Sequence, residues 1–380
     1  MHSILDSSAP RQNLALKLLG VNWGLVLLLG CIAGVGFAML YSAANGHWEP
    51  WASKQMIRFA VAVMVMLGVA TVDLRFWMRS AYMIYGLTFL LLVAVEVRGA
   101  VGMGAQRWID LGVIQLQPSE LMKIAVVLAL ARYFSVLTPE EIGRPTRLFV
   151  PALLVLLPAA LVMKQPDLGT AMMLVLSGGA IFFLVGVRWW KFVLVLMAGG
   201  GVIPVAWRFL KDYQKNRIYT FLNPENDPLG AGYHSLQSKI AIGSGGLFGK
   251  GFLMGSQSHL SFLPERQTDF IFTMLAEEFG LVGGLVLLGL YMLVFVYGFA
   301  IAFRSRSHFG RILALGVTIN VFLYVFINTA MVMGLIPVVG VPLPLISYGG
   351  TAMLTVMFGF GLMMCVYVHR DARIGRGGDE

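Results

Sequence analysis

Along this chain ten apolar segments alternate with short polar connections, and each is close to the roughly 20 residues that a helix needs to cross a bilayer. They fall near residues 21–43, 57–74, 80–97, 118–136, 147–164, 168–187, 190–209, 268–302, 308–333 and 345–368. The eighth is long enough to tilt or to project beyond the bilayer. The pattern predicts an all-α integral membrane protein with about ten transmembrane helices. One long polar stretch, about residues 208–267, separates the seventh and eighth segments. The expected division is a tail over 1–20, a polytopic membrane domain over 21–369 and a second tail over 370–380. Ser42-Ala43-Ala44 has the look of a signal cleavage site, but the apolar run before it is too long for a signal-peptide core and reads as an uncleaved first helix.

Composition agrees with the pattern. Of 380 residues, 58% are apolar and 12% charged, so no soluble domain of ordinary size remains once ten spans are removed. The net charge of +9 follows from topology. Arg11, Lys17, Arg75, Arg79, Arg132, Arg144, Arg147, Arg188, Lys191, Arg304, Arg306, Arg311, Arg370, Arg373 and Arg376 fall on one side of a ten-span arrangement. That places both termini in the cytoplasm and turns the 44–56, 98–117, 208–267 and 334–344 segments outward. Basic residues scattered over short loops form no single face, so nucleic acid is not an expected partner. Cys31 and Cys365 both lie inside spans, which excludes a disulfide framework. Phosphate-binding motifs of the GxxxxGK and GxGxxG types are absent, so nothing points to coupling with ATP.

Ionisable residues within lipid cost about 2.5–3.5 kcal/mol each on insertion scales, so each is a functional candidate. Glu120 and Lys123 lie three residues apart on the fourth helix and share a face. They read equally as an intramembrane ion pair and as the polar wall of a substrate cavity. Asp167 opens the sixth helix, either as a cap or as a group presented at the outer surface. Asp269 stands where the long polar stretch meets the apolar run Phe270-Ile271-Phe272, with Glu277 and Glu278 about 12 Å further along the same helix. Thr268 is a candidate cap before it, and a first-turn acid is commonly just that; a line of carboxylates running inward is harder to explain so. In the long stretch, Tyr233 to Ile242 has the spacing of a short amphipathic helix on the membrane surface, and the glycines of 243–251 suit either a turn or backbone amides offered to a phosphate. Glycines and prolines from Gly334 to Gly350 break the last span and predict an outward-facing cavity near Ser347 and Tyr348.

Several stretches, in order, resemble the shape, elongation, division and sporulation (SEDS) family, most closely its RodA branch. They are Gly104-Ala105-Gln106-Arg107-Trp108-Ile109, Gln117-Pro118-Ser119-Glu120-Leu121-Met122-Lys123, Gln165-Pro166-Asp167-Leu168-Gly169-Thr170, the Ala241 to Gly251 glycine run, Phe262-Leu263-Pro264-Glu265-Arg266-Gln267-Thr268-Asp269-Phe270-Ile271-Phe272 and Pro342-Leu343-Pro344-Leu345-Ile346-Ser347-Tyr348-Gly349-Gly350. The resemblance implies a peptidoglycan glycosyltransferase that joins lipid II units into glycan strands on the outer face of the cytoplasmic membrane. It further implies a class B penicillin-binding protein as partner and the elongation machinery as setting. The family's essential aspartate falls on Asp269, and its intramembrane acid and lysine on Glu120 and Lys123. Ser261 stands where relatives often carry a carboxylate, and Val339 where a threonine is usual.

Glycosyl transfer from a lipid pyrophosphate needs an activated acceptor hydroxyl and a neutralised leaving group. Asp269 is the candidate base, or alternatively the ligand of a divalent cation, magnesium or manganese. Arg107, Arg217 and Lys239 are candidates for the pyrophosphate, and Glu120, Lys123, Asp167 and Ser347 for the remaining substrate contacts. The rival readings are a lipid II flippase, since buried charges and a broken helix also mark translocation paths, and a scaffold with an incidental cavity.

Overall fold

The computed structural model describes residues 14–98, 100–102, 105–110, 115–209, 215, 219, 231–259 and 265–372. After a short helix α1 (Leu14–Leu19) come α2 (Trp23–Ala43), α3 (Ala52–Thr71) and α4 (Leu74–Arg98). Strands β1 (Ala100–Gly102), β2 (Ala105–Asp110) and β3 (Gln115–Leu116) follow. Next are α5 (Pro118–Val136), α6 (Pro139–Ile142), α7 (Pro145–Lys164), α8 (Leu168–Val185) and α9 (Trp189–Phe209). The chain closes with α10 (Ala231–Gly245), α11 (Ser256–His259), α12 (Ile271–Arg304), α13 (His308–Val332) and α14 (Gly350–Val368). The ten helices α2–α5, α7–α9 and α12–α14 fall on the ten apolar segments. Eight of them are long and apolar enough to cross a membrane. The other two are α5, which carries Glu120, Lys123 and Arg132, and α9, whose apolar part is short.

Most helix boundaries have a local cause. Asn22 accepts the Leu25 amide at the start of α2 (3.2 Å), and Ser307 accepts the Gly310 amide at the start of α13 (3.3 Å). Pro118 and Pro145 occupy first turns, where no helical amide bond is lost. Helix α8 ends at Gly186, whose φ of 103° is the left-handed conformation of a helix terminator.

Burial orders the bundle. Helix α13 is 83% buried and α14 72%, against 22–44% for the other apolar spans, and α5 is buried over most of its length, so these three form the centre. Helix α13 contacts α5, α8, α12 and α14, while α14 runs along α3. Small residues permit the close approaches: a methyl on Gly316 would meet Val127 Cγ1 of α5 at 2.5 Å, and one on Gly361 would meet Val69 of α3 at 2.8 Å.

Bonds between connections sort the bundle into two ends. Lys17 donates to Thr71 O (2.8 Å), the Cys365 thiol to Val72 O (3.1 Å) and the Arg306 amide to Arg370 O (2.9 Å), which gathers the first and last described segments at one end. The other end collects the sheet, the 165–167 turn, α10, the 265–270 turn and the broken stretch before α14. A small three-stranded sheet, in order β1-β2-β3 and antiparallel, is the one addition among the described residues to an otherwise helical membrane protein, as expected. Its short strands lie in a segment whose sequence lacks a period long enough to read.

Helix α10 packs on α12 and α13. There Ser238 donates to Val332 O (2.7 Å) and lies 2.7 Å from the Thr273 hydroxyl. The glycine run after it spends the amides of Gly246 and Gly249 on the end of α10 and those of Lys250 and Gly251 on a break in α12. Gly280, with φ 67° and ψ −162°, interrupts that helix. The amides of Lys250 and Gly251 then reach the freed carbonyls of Glu277 and Glu278 (both 3.0 Å), and the amides of Leu281 and Val282 reach Gly246 O and Leu247 O (2.9 and 3.1 Å). Both Gly249 and Gly280 combine positive φ with contact too tight for a side chain, a methyl on Gly249 meeting Glu278 O at 2.1 Å. Gly249→Ala and Gly280→Ala are each expected to destabilise the protein by about 1–3 kcal/mol, read as a lower unfolding temperature in detergent. Gly243→Ala, with open space around it, should leave that temperature unchanged or slightly higher.

Candidate active site

Asp269 sits in the 265–270 turn that leads into α12, and three neighbouring contacts hold that turn in place. Asn328 of α13 donates its Nδ2 to both Asp269 O (2.9 Å) and Val341 O (2.8 Å). Ser347 donates to Thr268 O and accepts the Leu343 amide, both at 2.7 Å. The Tyr348 amide reaches Gln267 O at 2.8 Å. The broken stretch before α14 is therefore stitched to the segment carrying Asp269, and its turn at Gly340 passes close to the carboxylate.

The surroundings of Asp269 are acidic, and the residue itself is partly buried. Burial pushes its carboxyl up to about 6 from the ordinary 3.8, and the charges of Glu265 and Asp167 add to the shift. Asp167 caps α8, accepting the Thr170 amide (3.1 Å) and hydroxyl (2.9 Å), and it also receives Gln117 Nε2 (3.3 Å). Arg107 on β2 grips the turn before it, donating Nε to Gln165 O (3.1 Å) and Nη2 to Pro166 O. The cap reading of Asp167 fits these contacts, whereas the carboxylate is buried and not presented at the surface; its charge is also part of the field at Asp269. Glu265 accepts the Thr268 hydroxyl at 2.9 Å. Carboxylate oxygens suit a hard divalent cation, yet among the described residues no group of three acidic, His or Cys side chains is placed to hold one.

The other acids belong to different places. Glu120 and Lys123 form a buried pair at 2.7 Å, with the Tyr324 hydroxyl donating to Glu120 at 2.5 Å and Lys123 Nζ 4.1 Å from the centre of the Tyr324 ring. The cavity beside Lys123 holds about 10 Å³, room for about one water and none for a sugar, which favours the ion-pair reading. Glu277 and Glu278 do not continue a line from Asp269. Glu277 takes Lys250 Nζ (2.7 Å) and the Gln257 amide (2.9 Å), and Glu278 takes the Ser42 hydroxyl of α2 (2.5 Å). The void lined by Pro342, Pro344 and Ser347 is also only about 10 Å³. The Tyr348 ring carries the Arg58 guanidinium 4.7 Å from its centre. The Lys239 stem crosses Gly334, where a methyl would meet its Cε at 2.0 Å. Arg217 and Ser261 lie outside the described residues.

Residues 17–372 match the cell cycle protein family of FtsW, RodA and SpoVE. The chain belongs to this family. It is 45% identical to the peptidoglycan glycosyltransferase MrdB of Escherichia coli over 349 residues, which cover 91% of this chain and 93% of the relative. It is 32% identical to the peptidoglycan glycosyltransferase RodA of Treponema pallidum, covering 90% and 96%. Among solved structures, a peptidoglycan synthase complex that coordinates polymerization and crosslinking contains a chain with TM-score 0.78 and 34% identity, covering 92% of this chain and 98% of that one. RodA of Thermus thermophilus matches with TM-score 0.70 and 30% identity, covering 93% and 98%. In this FtsW, RodA and SpoVE protein, three contributors to the site escape sequence reasoning: Asn328, Tyr324 and Glu265. Asn328 carried a usable signal, since an amide inside an apolar span needs a polar partner.

Lys123→Met is expected to cost about 3–5 kcal/mol, because it leaves Glu120 buried without its countercharge. Replacing both, Glu120→Leu with Lys123→Met, should recover most of that loss in an unfolding titration. A double-variant loss equal to the sum of the Glu120→Leu and Lys123→Met losses would show that the pair is not coupled.

Proposed function

We propose that this multi-pass membrane protein is a peptidoglycan glycosyltransferase of the RodA type, which polymerises lipid II at the outer face of the cytoplasmic membrane with Asp269 as general base. The observation that carries the reading is the raised affinity of Asp269 for protons. A base works best when its pKa lies near the operating pH, and about 6 leaves the carboxylate ionised at neutral pH yet more basic than an ordinary one. The acceptor hydroxyl gives its proton to Asp269 as its oxygen bonds to the donor's anomeric carbon, and the donor's bond to the lipid pyrophosphate breaks. Charge growing on that pyrophosphate needs cations. Lys239, exposed on α10, and the guanidinium donors of Arg107 not spent on the 165–166 turn are the described candidates read from the sequence, with Arg217 a third.

The end of the bundle carrying Asp269 is assigned to the outer face by the excess of lysine and arginine at the opposite end, which puts both termini in the cytoplasm. A class B penicillin-binding protein as partner is supported by the solved relative that joins polymerization to crosslinking, and the elongation machinery as setting by the likeness to RodA. The flippase alternative needs a polar route through the bundle; the closed Glu120–Lys123–Tyr324 cluster and the small void beside it favour the enzyme.

Purified protein with its transpeptidase partner, given lipid II in detergent, is expected to make glycan, and Asp269→Asn to lose it by at least about a hundredfold. Absence of polymer from wild type in detergent, together with faster lipid exchange across liposomes, would overturn the polymerase in favour of the flippase. The rate should rise tenfold per pH unit below about 6 and level off above, because only ionised Asp269 accepts a proton. The stability of Asp269→Asn should move in the opposite sense. The fold disfavours the charged carboxylate, so wild type is penalised wherever an unfolded aspartate is ionised. The variant should therefore be about 1–3 kcal/mol more stable above pH 6, with the gain shrinking as pH falls toward 3.8.

A further inference from the structure

At the end of the bundle opposite Asp269, a cavity of about 170 Å³ opens between the start of α2, the last turns of α12 and the end of α14. Its walls are Val296, Ala300 and Ile301, and its polar groups are Asn22, Tyr297, Arg304 and Tyr367. Every polar group free to act there is a donor. Asn22 spends its carbonyl on the Leu25 amide, leaving its NH2. Arg304 and the hydroxyls of Tyr297 and Tyr367 have no partner among the described residues. Arg306 and Arg370 flank the same end and share Asp371, at 3.6 and 3.9 Å, so the neighbouring carboxylate is already engaged by two arginines. The Tyr297 hydroxyl keeps its place because residue 24 is glycine; a methyl there would lie 2.7 Å from it.

We infer that this cavity binds the headgroup of an anionic phospholipid. A guanidinium matches phosphate oxygens with paired donors, hydroxyl and amide donors complete the shell, and tyrosine is favoured at the headgroup level. Basic pockets between helices at one face of the membrane are a recurring means of holding such lipids. The volume suits a phosphate diester with its glycerol. The acyl chains continue along apolar surface beside it, where Val296, Phe303 and Trp23 are exposed. The carbonyl end of α12 bears partial negative charge, which works against an anion, and Arg304 in its last turn offsets it with a full positive charge.

The test uses the full chain in non-ionic detergent, titrated with dioleoylphosphatidylglycerol and read by native mass spectrometry. Wild type should retain one lipid, Arg304→Gln should lose at least tenfold in apparent affinity, and Tyr297→Phe several-fold with no change in charge. Arg79→Gln, at the same end but outside the cavity, should bind like wild type. Unfolding temperature in lipid-free detergent checks that the variants are folded. Retention of the lipid by Arg304→Gln, or equal loss in Arg304→Gln and Arg79→Gln, overturns the site. Displacement of the lipid by millimolar inorganic phosphate overturns the lipid assignment in favour of a free phosphate.

Discussion

A peptide group surrounded by lipid has no water to turn to, so wherever the helices of this bundle break, the freed amides and carbonyls must be paired inside the protein. Two breaks dominate the end that carries Asp269. One is the glycine- and proline-rich stretch before α14, bonded to the 265–270 turn through Asn328, Ser347 and Tyr348. The other is the interruption of α12 at Gly280, answered by the backbone of residues 246–251. Both repairs converge on the two sides of one short segment. The position of Asp269 is therefore set by backbone pairing, and its side chain is left free of the work of holding the fold.

The electrostatics follow from that arrangement. Glu120 has Lys123 and Tyr324, Glu277 has Lys250, and Glu278 has Ser42, so those acids are stabilised where they stand. Asp269 instead meets burial and the fields of Glu265 and Asp167, both of which favour its protonated form. A buried ion pair and a raised carboxylate are opposite solutions to the same desolvation cost. The first makes a rigid helix contact, and the second makes a proton acceptor suited to neutral pH. Arg107, expected as a phosphate ligand, contributes to the second by fixing the turn that holds Asp167.

Much of this was legible in the sequence. Hydrophobic segments of about twenty residues have one stable outcome in lipid, so the ten helices appear with ends shifted by only a few residues. Asp167 as a cap and the close pairing of Glu120 with Lys123 depend on neighbours three residues away, which local geometry brings together. The sheet over residues 100–116, the partners Tyr324 and Asn328 and the divergence of Glu277 and Glu278 from Asp269 were not readable. Each depends on which way a helix face turns, or on a break whose repair comes from residues far along the chain.

The sequence by itself determined a membrane protein of ten helices, through hydropathy, and its family, through a series of motifs that also single out Asp269 as a candidate. Tertiary structure alone decided that the glycine run mends α12, that Glu120 and Lys123 are closed off, and that Asp269 is held partly buried among acids. The reason is physical. A carboxylate's proton affinity is set by the charges and solvent within a few ångströms of it, and those neighbours come from segments a hundred residues apart.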